Sequence, residues 1–276
     1  MHGAPTPTPT WDPRQYLRHS GHRTRPFLDL LARIPEPPAH RGTTRIADLG
    51  CGAGNITALL AERWPHARIT GIDNSDAMLH TAREHLATLP AGRHTDFVHA
   101  DLTDWVPEEP YDLIVSNAAL QWVPGHTRSF PAWTRALTPG GTLAFQVPGN
   151  SDAPSHALLR ELCASPQWRD RLGPAGRRTL DVLPPGAYLQ HLAGLGCEVD
   201  AWETTYTHVL QGEDPVLDWI KGTGLRPVLT TLAGDPAATE EFLGAYAALL
   251  RAAYPPGPHG TLFPFRRVFV VARKDG

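Results

Sequence analysis

TRIADLGCGAGN, residues 44–55, is the stretch whose reading decides the fold. TRIADL reads as a short buried strand, and glycines follow at positions 50, 52 and 54. Glycine tolerates positive φ and lets backbone approach a ligand closely. Beyond Gly54, the spacing of Ile56, Leu59, Leu60 and Trp64 predicts a helix. That helix would present its amino terminus to the loop, an end that favours a negative group. The loop is not the dinucleotide fingerprint, whose third glycine is replaced here by Asn55. It also lacks the Lys-Ser/Thr pair of a P-loop.

Outward from this loop, short β-type runs alternate with helical patterns, as in a parallel sheet covered on both faces. ARITGID (67–73) predicts a second strand, after which Ser75 caps a helix carrying Met78, Ala82 and Leu86 on one face. DFVHA (96–100) predicts the third strand. The nearly all-apolar DLIVS (112–116) suits a central parallel fourth. TLAFQV (142–147) follows Gly140-Gly141 as the fifth. CEVDAWETTYTHVL (197–210) and RVFVVAR (267–273) complete a set of seven strands. Helical stretches are expected near 155–163, at 187–195 and across 213–254.

The expected fold class is therefore α/β: a Rossmann-like, seven-stranded, mostly parallel sheet with helical cap insertions after strands 5 and 6. One domain is expected over 1–276. Within it, 1–28 form an amino-terminal cap segment, 29–147 a cofactor-binding core, and 148–186 and 211–262 helical lids. The lids are expected over the carboxyl edge of the sheet, where doubly wound folds place their ligands.

Composition narrows the function. No apolar run approaches the ~18 residues that a membrane span needs. MHGAPTPTPT at the start lacks an apolar h-region, and its Thr-Pro alternation reads as a disordered lead. A net charge of −3 gives no nucleic-acid footprint. Cys51, Cys163 and Cys197 are odd in number and far apart, which fits a reducing, cytoplasmic setting and gives no zinc spacing. The 14 histidines include no His-Glu-x-x-His, and no metal is expected.

Two carboxylates sharpen the reading of the loop. Asp73 lies 19 residues beyond Gly54, at the carboxyl end of strand two, where it can accept hydrogen bonds from both hydroxyls of a ribose. Asp101 follows strand three. Asp48-Leu49-Gly50-Cys51-Gly52-Ala53-Gly54 resembles the first motif of the class I S-adenosylmethionine methyltransferases. The resemblance implies S-adenosyl-L-methionine as cofactor, with the residue after strand three holding the adenine amino group. Carried onto this chain, it implies cofactor contacts from Tyr16, Asp48, Gly50, Cys51, Gly52, Asp73, Asn74, Met78, Asp101, Leu102 and Asn117. Met78 serves either the adenine face or the core, and Tyr16 either closes over the cofactor or staples the amino terminus.

From Trp11 to Lys274 the chain also resembles one branch of that superfamily, the trans-aconitate 2-methyltransferases. Trp11-Asp12-Pro13, Arg23-Thr24-Arg25-Pro26, Leu120-Gln121-Trp122, Gly222-Thr223-Gly224-Leu225-Arg226-Pro227 and Val270-Val271-Ala272-Arg273 carry the likeness. Ala53, where the branch usually has proline, and the Pro-rich 255–259 with Arg266 depart from it. The resemblance implies esterification of a carboxylate of a small polycarboxylic acid. Such a nucleophile is ionised at neutral pH, its unperturbed pKa being about 4, so no general base is required. The enzyme must instead align the oxygen with the methyl group and exclude water, which contributes on the order of 7–11 kcal/mol.

A tricarboxylate held under a lid needs cationic or N–H partners. The candidate substrate contacts are Arg23, Arg25, Arg226 and Arg267, with Gln121, Trp122, Tyr206 and His208 adding donors and a wall. Gln121 and Trp122 are also candidates for positioning, and Trp122 serves either as core or as a face for the cation. Two alternatives stand beside this reading. One is transfer to a phenol, amine or carbon of a secondary metabolite, which would need a base, with His208 the residue to watch. The other is a cofactor-binding homologue with changed activity. The expected partners are a small carboxylic acid but no nucleic acid or membrane, with the chain a monomer or weak homo-oligomer.

Overall fold

The computed structural model describes residues 20–38, 42–177 and 181–276. Tyr16 and the Thr-Pro lead lie outside the described residues. Among the described residues no helix is long and apolar enough to cross a membrane.

Helix α1 (Ser20–Leu31) precedes the glycine-loop strand β1 (Arg45–Leu49), which feeds α2 (Asn55–Arg63). Strand β2 (Arg68–Asp73), α3 (Asp76–Ala87), β3 (Thr95–His99) and β4 (Tyr111–Asn117) follow. Then come α4 (Phe130–Ala136), β5 (Leu137–Pro148), α5 (Pro154–Ala164), α6 (Arg169–Leu172), α7 (Pro185–Ala193) and β6 (Cys197–Leu210). Helices α8 (Pro215–Lys221), α9 (Arg226–Leu232) and α10 (Pro236–Ala253), then β7 (Pro256–Gly257) and β8 (Gly260–Lys274), close the chain. Many of the prolines sit in first helical turns, as in α5, α7, α8, α9 and α10. There the missing N–H has no intrahelical partner to lose. Asp235 adds a cap to α10 by accepting from the Ala238 N–H.

The sheet order is β3-β2-β1-β4-β5-β8-β6, with the two-residue β7 paired to β8. Strands β1 to β5 run parallel and β8 is antiparallel to β5. This is the expected Rossmann-like α/β sheet, with an eighth strand that the sequence reading did not foresee. Two strands also begin earlier than expected. β5 starts at Leu137, with an irregular register opposite Tyr111 and Leu113. β8 starts at Gly260, because the turn after Gly257 folds back as a hairpin.

The chain forms two compact units. In one, residues 150–177 and 205–265 pack helices around Trp168, Trp219, Phe242, Tyr246 and Phe263. In the other, residues 21–38, 42–149, 181–204 and 266–276 carry most of the sheet around Phe130, Trp133, Phe145 and Tyr188. Chain order reverses direction between β1 and β4, the topological switch point of this second unit. Doubly wound sheets bind ligands outside the carboxyl ends of the strands at such a point.

Candidate active site

At the carboxyl end of β1 the chain turns through Gly50, Gly52 and Gly54 with φ of 71°, 55° and 80°. L-residues rarely enter this left-handed region, so the turn requires glycine. At Gly50 a Cβ would also stand 2.2 Å from the Ala119 Cβ, in the loop that follows β4. Glycine thus lets the two loops of the switch point meet. At Gly52 no described atom lies within 4 Å of where a Cβ would stand. The loop therefore presents bare backbone to open space, a cradle that a cofactor fits.

Asp73 closes one side of that cradle. Its Oδ2 accepts from the Gly52 N–H and its Oδ1 from the Ser75 N–H, each at 2.9 Å. One carboxylate thus ties the glycine loop to the start of α3. Burial raises its pKa, while the N–H donors of Gly52, Ser75 and Asn74 oppose the rise. A carboxylate has about four acceptor directions, so it retains capacity for ribose hydroxyls beyond these bonds. Asp101 is exposed at the end of β3. Its Oδ1 accepts from the Thr103 N–H at 2.8 Å, and bonds from Thr103 hold its pKa below the usual carboxylate value. Asn74 is exposed, Leu102 is buried in the core, and Met78 is 5% exposed on α3. Met78 thus packs mostly inward.

Asp48 lies beneath the loop, 1% exposed, and accepts from Thr57 Oγ1 at 2.7 Å. Burial pushes its pKa up to about 7, against the Thr57 hydrogen bond and with help from the Asp73 charge. In the unfolded chain such a carboxyl ionises near its ordinary value of 3.8. The folded protein therefore holds a proton that the unfolded chain releases, and stability falls as pH rises from the lower value to the upper. The full penalty, on the order of 4 kcal/mol, applies above the folded pKa. Asp48→Asn keeps an acceptor for Thr57 and removes the charge. The cofactor-free variant should resist urea better than the parent at about pH 8 and equally at about pH 3.5. Parallel stability curves at the two pH values would disprove a buried, uncompensated carboxylate.

The second side of the switch point is built after β4. Asn117 is 8% exposed, and Ala118 follows at φ 54°, a conformation that is strained for a residue with a Cβ. Two hydrogen bonds hold it: its N–H donates to the Gln146 carbonyl at 2.9 Å, and Gln121 Nε2 donates to its carbonyl at 2.6 Å. Buried Gln121 leaves Oε1 without a hydrogen-bond partner among the described residues. Its neighbour Trp122 is half-buried.

Arg267 enters this edge from β8, opposite Pro148, and is 4% exposed. Its Nη1 donates to Gln146 Oε1 at 3.1 Å, and Gln146 Nε2 donates to Asn117 Oδ1 at 2.5 Å. A guanidinium buried at the mouth of a sheet is costly without anionic or polar partners and suits a carboxylate ligand bidentately. Arg25 is exposed on α1.

Three candidates belong to the other unit. Tyr206 is 4% exposed on β6, and His208 is 7% exposed with its ring 4.7 Å from that of Trp219. Arg226 is half-buried at the start of α9. The same unit holds His156, which the sequence reading did not single out. Burial, then the charge of Arg160, pushes its pKa down to about 4, so it is neutral at physiological pH. Its Nε2 lies 3.5 Å from where a Cβ would stand on Gly224.

The structure thus gathers Asp48, Gly50, Cys51, Gly52, Asp73, Asn74, Asp101 and Asn117 along the carboxyl ends of β1 to β4, with Gln121, Trp122 and Arg267 in the same unit. Gln146, Thr57 and the strained Ala118 complete that edge and were not anticipated. Among the described residues there is no cluster of His, Cys, Asp and Glu fit to hold a metal.

Residues 46–141 match a family described as "Methyltransferase domain". A trans-aconitate 2-methyltransferase of Streptomyces coelicolor (strain ATCC BAA-471 / A3(2) / M145) is 62% identical over 270 residues, spanning 98% of this chain and 88% of that protein. One of Streptomyces avermitilis is 60% identical over 271 residues, spanning 98% of this chain and 99% of its own. Among solved structures, the YcgJ protein of Bacillus subtilis superposes with a TM-score of 0.56 at 14% identity, covering 92% of this chain and 99% of that one. At that identity the likeness is one of fold alone. Identity of this order along nearly the whole length, together with the glycine loop and the buried arginine at one sheet edge, settles the family: the chain belongs to the trans-aconitate 2-methyltransferases.

Proposed function

We propose that the protein esterifies a carboxylate of trans-aconitate, using S-adenosyl-L-methionine as methyl donor. The observation that carries the substrate class is Arg267, a guanidinium buried on the cofactor side of the sheet and hydrogen-bonded through Gln146 to Asn117. A cation in that place suits a polyanionic acid and gives nothing to a neutral phenol.

When bound, the cofactor supplies an electrophilic methyl group on a sulfonium. The residues of this chain do the rest. Gly50, Cys51 and Gly52 cradle the amino-acid part, and the buried carboxyl of Asp48 lies beneath it. Asp73 takes the ribose hydroxyls. Asn74, Met78, Asp101, Leu102 and Asn117 bound the adenine side. Arg267 holds a carboxylate of the acid, with Arg25 as a further cation in the same unit. Gln121 and Trp122 orient the reacting oxygen, and Gln121 Oε1 is an acceptor without a partner among the described residues. No residue takes a proton from the nucleophile, because a carboxylate carries none at neutral pH. Rate enhancement comes from alignment and from exclusion of water.

Three free, buried cysteines support a cytoplasmic setting. The net charge of −3 supports a small-molecule partner over nucleic acid.

The test is a transfer assay with methyl-labelled cofactor and trans-aconitate, cis-aconitate, isocitrate, citrate and simple phenols. A monomethyl ester of trans-aconitate should form with the highest kcat/KM of the set, read by mass spectrometry. Esterification of another acid in preference, or methylation of a phenol, would reject the reading.

A further inference from the structure

Gln146 interrupts the apolar run Leu143–Val147 of β5 and is fully buried. A buried carboxamide is costly unless both its ends are hydrogen-bonded. Here both are. Oε1 accepts from Arg267 Nη1 at 3.1 Å, and Nε2 donates to Asn117 Oδ1 at 2.5 Å. Asn117 is the register partner of Gln146 on β4, and Arg267 sits diagonally across on β8. One side chain is therefore the rung that joins three strands at the mouth of the sheet. Its backbone carbonyl also holds the strained Ala118 N–H at 2.9 Å.

We infer that Gln146 is a positioning residue that couples the acid side of the site, through Arg267, to the cofactor side, through Asn117. This rests on the roles proposed above for those two residues. The chemistry requires a carboxamide. Its oxygen faces a cation and its N–H faces an amide oxygen, so the orientation of each neighbour is set by the other. An isosteric carboxylate would neutralise Arg267 and turn an acceptor against Asn117 Oδ1. A hydrocarbon would let the two neighbours turn independently. With the rung in place, ordering the guanidinium orders Asn117, and binding on one side favours binding on the other.

The experiment is a double-mutant cycle read by calorimetry with S-adenosylhomocysteine on the parent, Arg267→Met, Gln146→Leu and the double variant. Arg267→Met should weaken this ligand about fivefold in the parent and have no further effect on top of Gln146→Leu. Effects that multiply in the double variant, or an Arg267→Met affinity within about twofold of the parent, would overturn the coupling. Should Gln146→Leu not fold, the same cycle is run with the isosteric Gln146→Glu. That variant also has a kinetic signature. KM for trans-aconitate should rise about tenfold with kcat within about threefold, and an unchanged KM counts against the proposal. A parent protein that makes no ester would defeat the substrate reading, while the calorimetric cycle would still decide the coupling.

Discussion

Asp73→Ala is expected to weaken S-adenosylhomocysteine binding by about a hundredfold or more, close to 3 kcal/mol. Two losses add. The half-buried carboxylate can no longer accept from a ribose diol, a pair of charge-assisted bonds. The Gly52 and Ser75 N–H groups, each 2.9 Å from its oxygens, lose the acceptor that fixes the loop against α3. The second loss makes the first worse, because the left-handed turn at Gly52 is then free to reorganise before it binds. Asp73→Asn separates the two contributions. It keeps one acceptor oxygen and sets an NH2 group against one of the loop N–H groups. Its affinity should lie between those of the parent and Asp73→Ala. Isothermal calorimetry decides the matter: a Kd for Asp73→Ala within about threefold of the parent would remove Asp73 from the cofactor site.

The cofactor half of the site was legible because its chemistry is local. The three glycines, the strand before them and the carboxylate that ends β2 lie within residues 45–73, and the structure sets them at one strand edge. The same locality explains the readable strands. β4 is fully buried, with Leu113, Ile114 and Val115 an apolar run at its centre. What escaped the sequence reading was non-local or locally disguised. Pro264 sits in β8, and proline argues against a strand interior, so it disguises the alternation of buried Thr261, Phe263 and Phe265 before RVFVVAR. Pro139 and Gly140 read as a turn although β5 runs through them. Gln146 was visible as a polar residue in an apolar run. Its partners, however, stand 29 and 121 residues away, at separations that no periodicity reports. Ala118 carries no signal for left-handed backbone, because alanine has no preference for that region. The conformation there is held by a long-range hydrogen bond to Gln146 and a local one from Gln121.

Arg267→Met should raise KM for trans-aconitate about a hundredfold while kcat falls by less than about tenfold. Methionine fills much of the same volume and carries no charge, so the substitution chiefly deletes the cation. Arg267 is 4% exposed, and a carboxylate meeting a desolvated guanidinium is worth much more than one meeting an exposed cation such as Arg25. Loss of one buried, charge-assisted partner typically costs on the order of 2–5 kcal/mol, and a hundredfold lies within that range. The effect should fall on KM, because the acid carries the same charge before transfer as it does on approach to the methyl group. A contact made equally in ground and transition states lowers KM without raising kcat. Arg267→Lys sharpens the argument. It keeps the charge but loses the planar fork that holds both Gln146 and a carboxylate, so its KM should sit between those of the parent and Arg267→Met. Steady-state kinetics with saturating cofactor provide the measurement. A KM for Arg267→Met within about twofold of the parent would mean that the guanidinium serves the sheet alone, and that the acid is held by cations elsewhere in the chain.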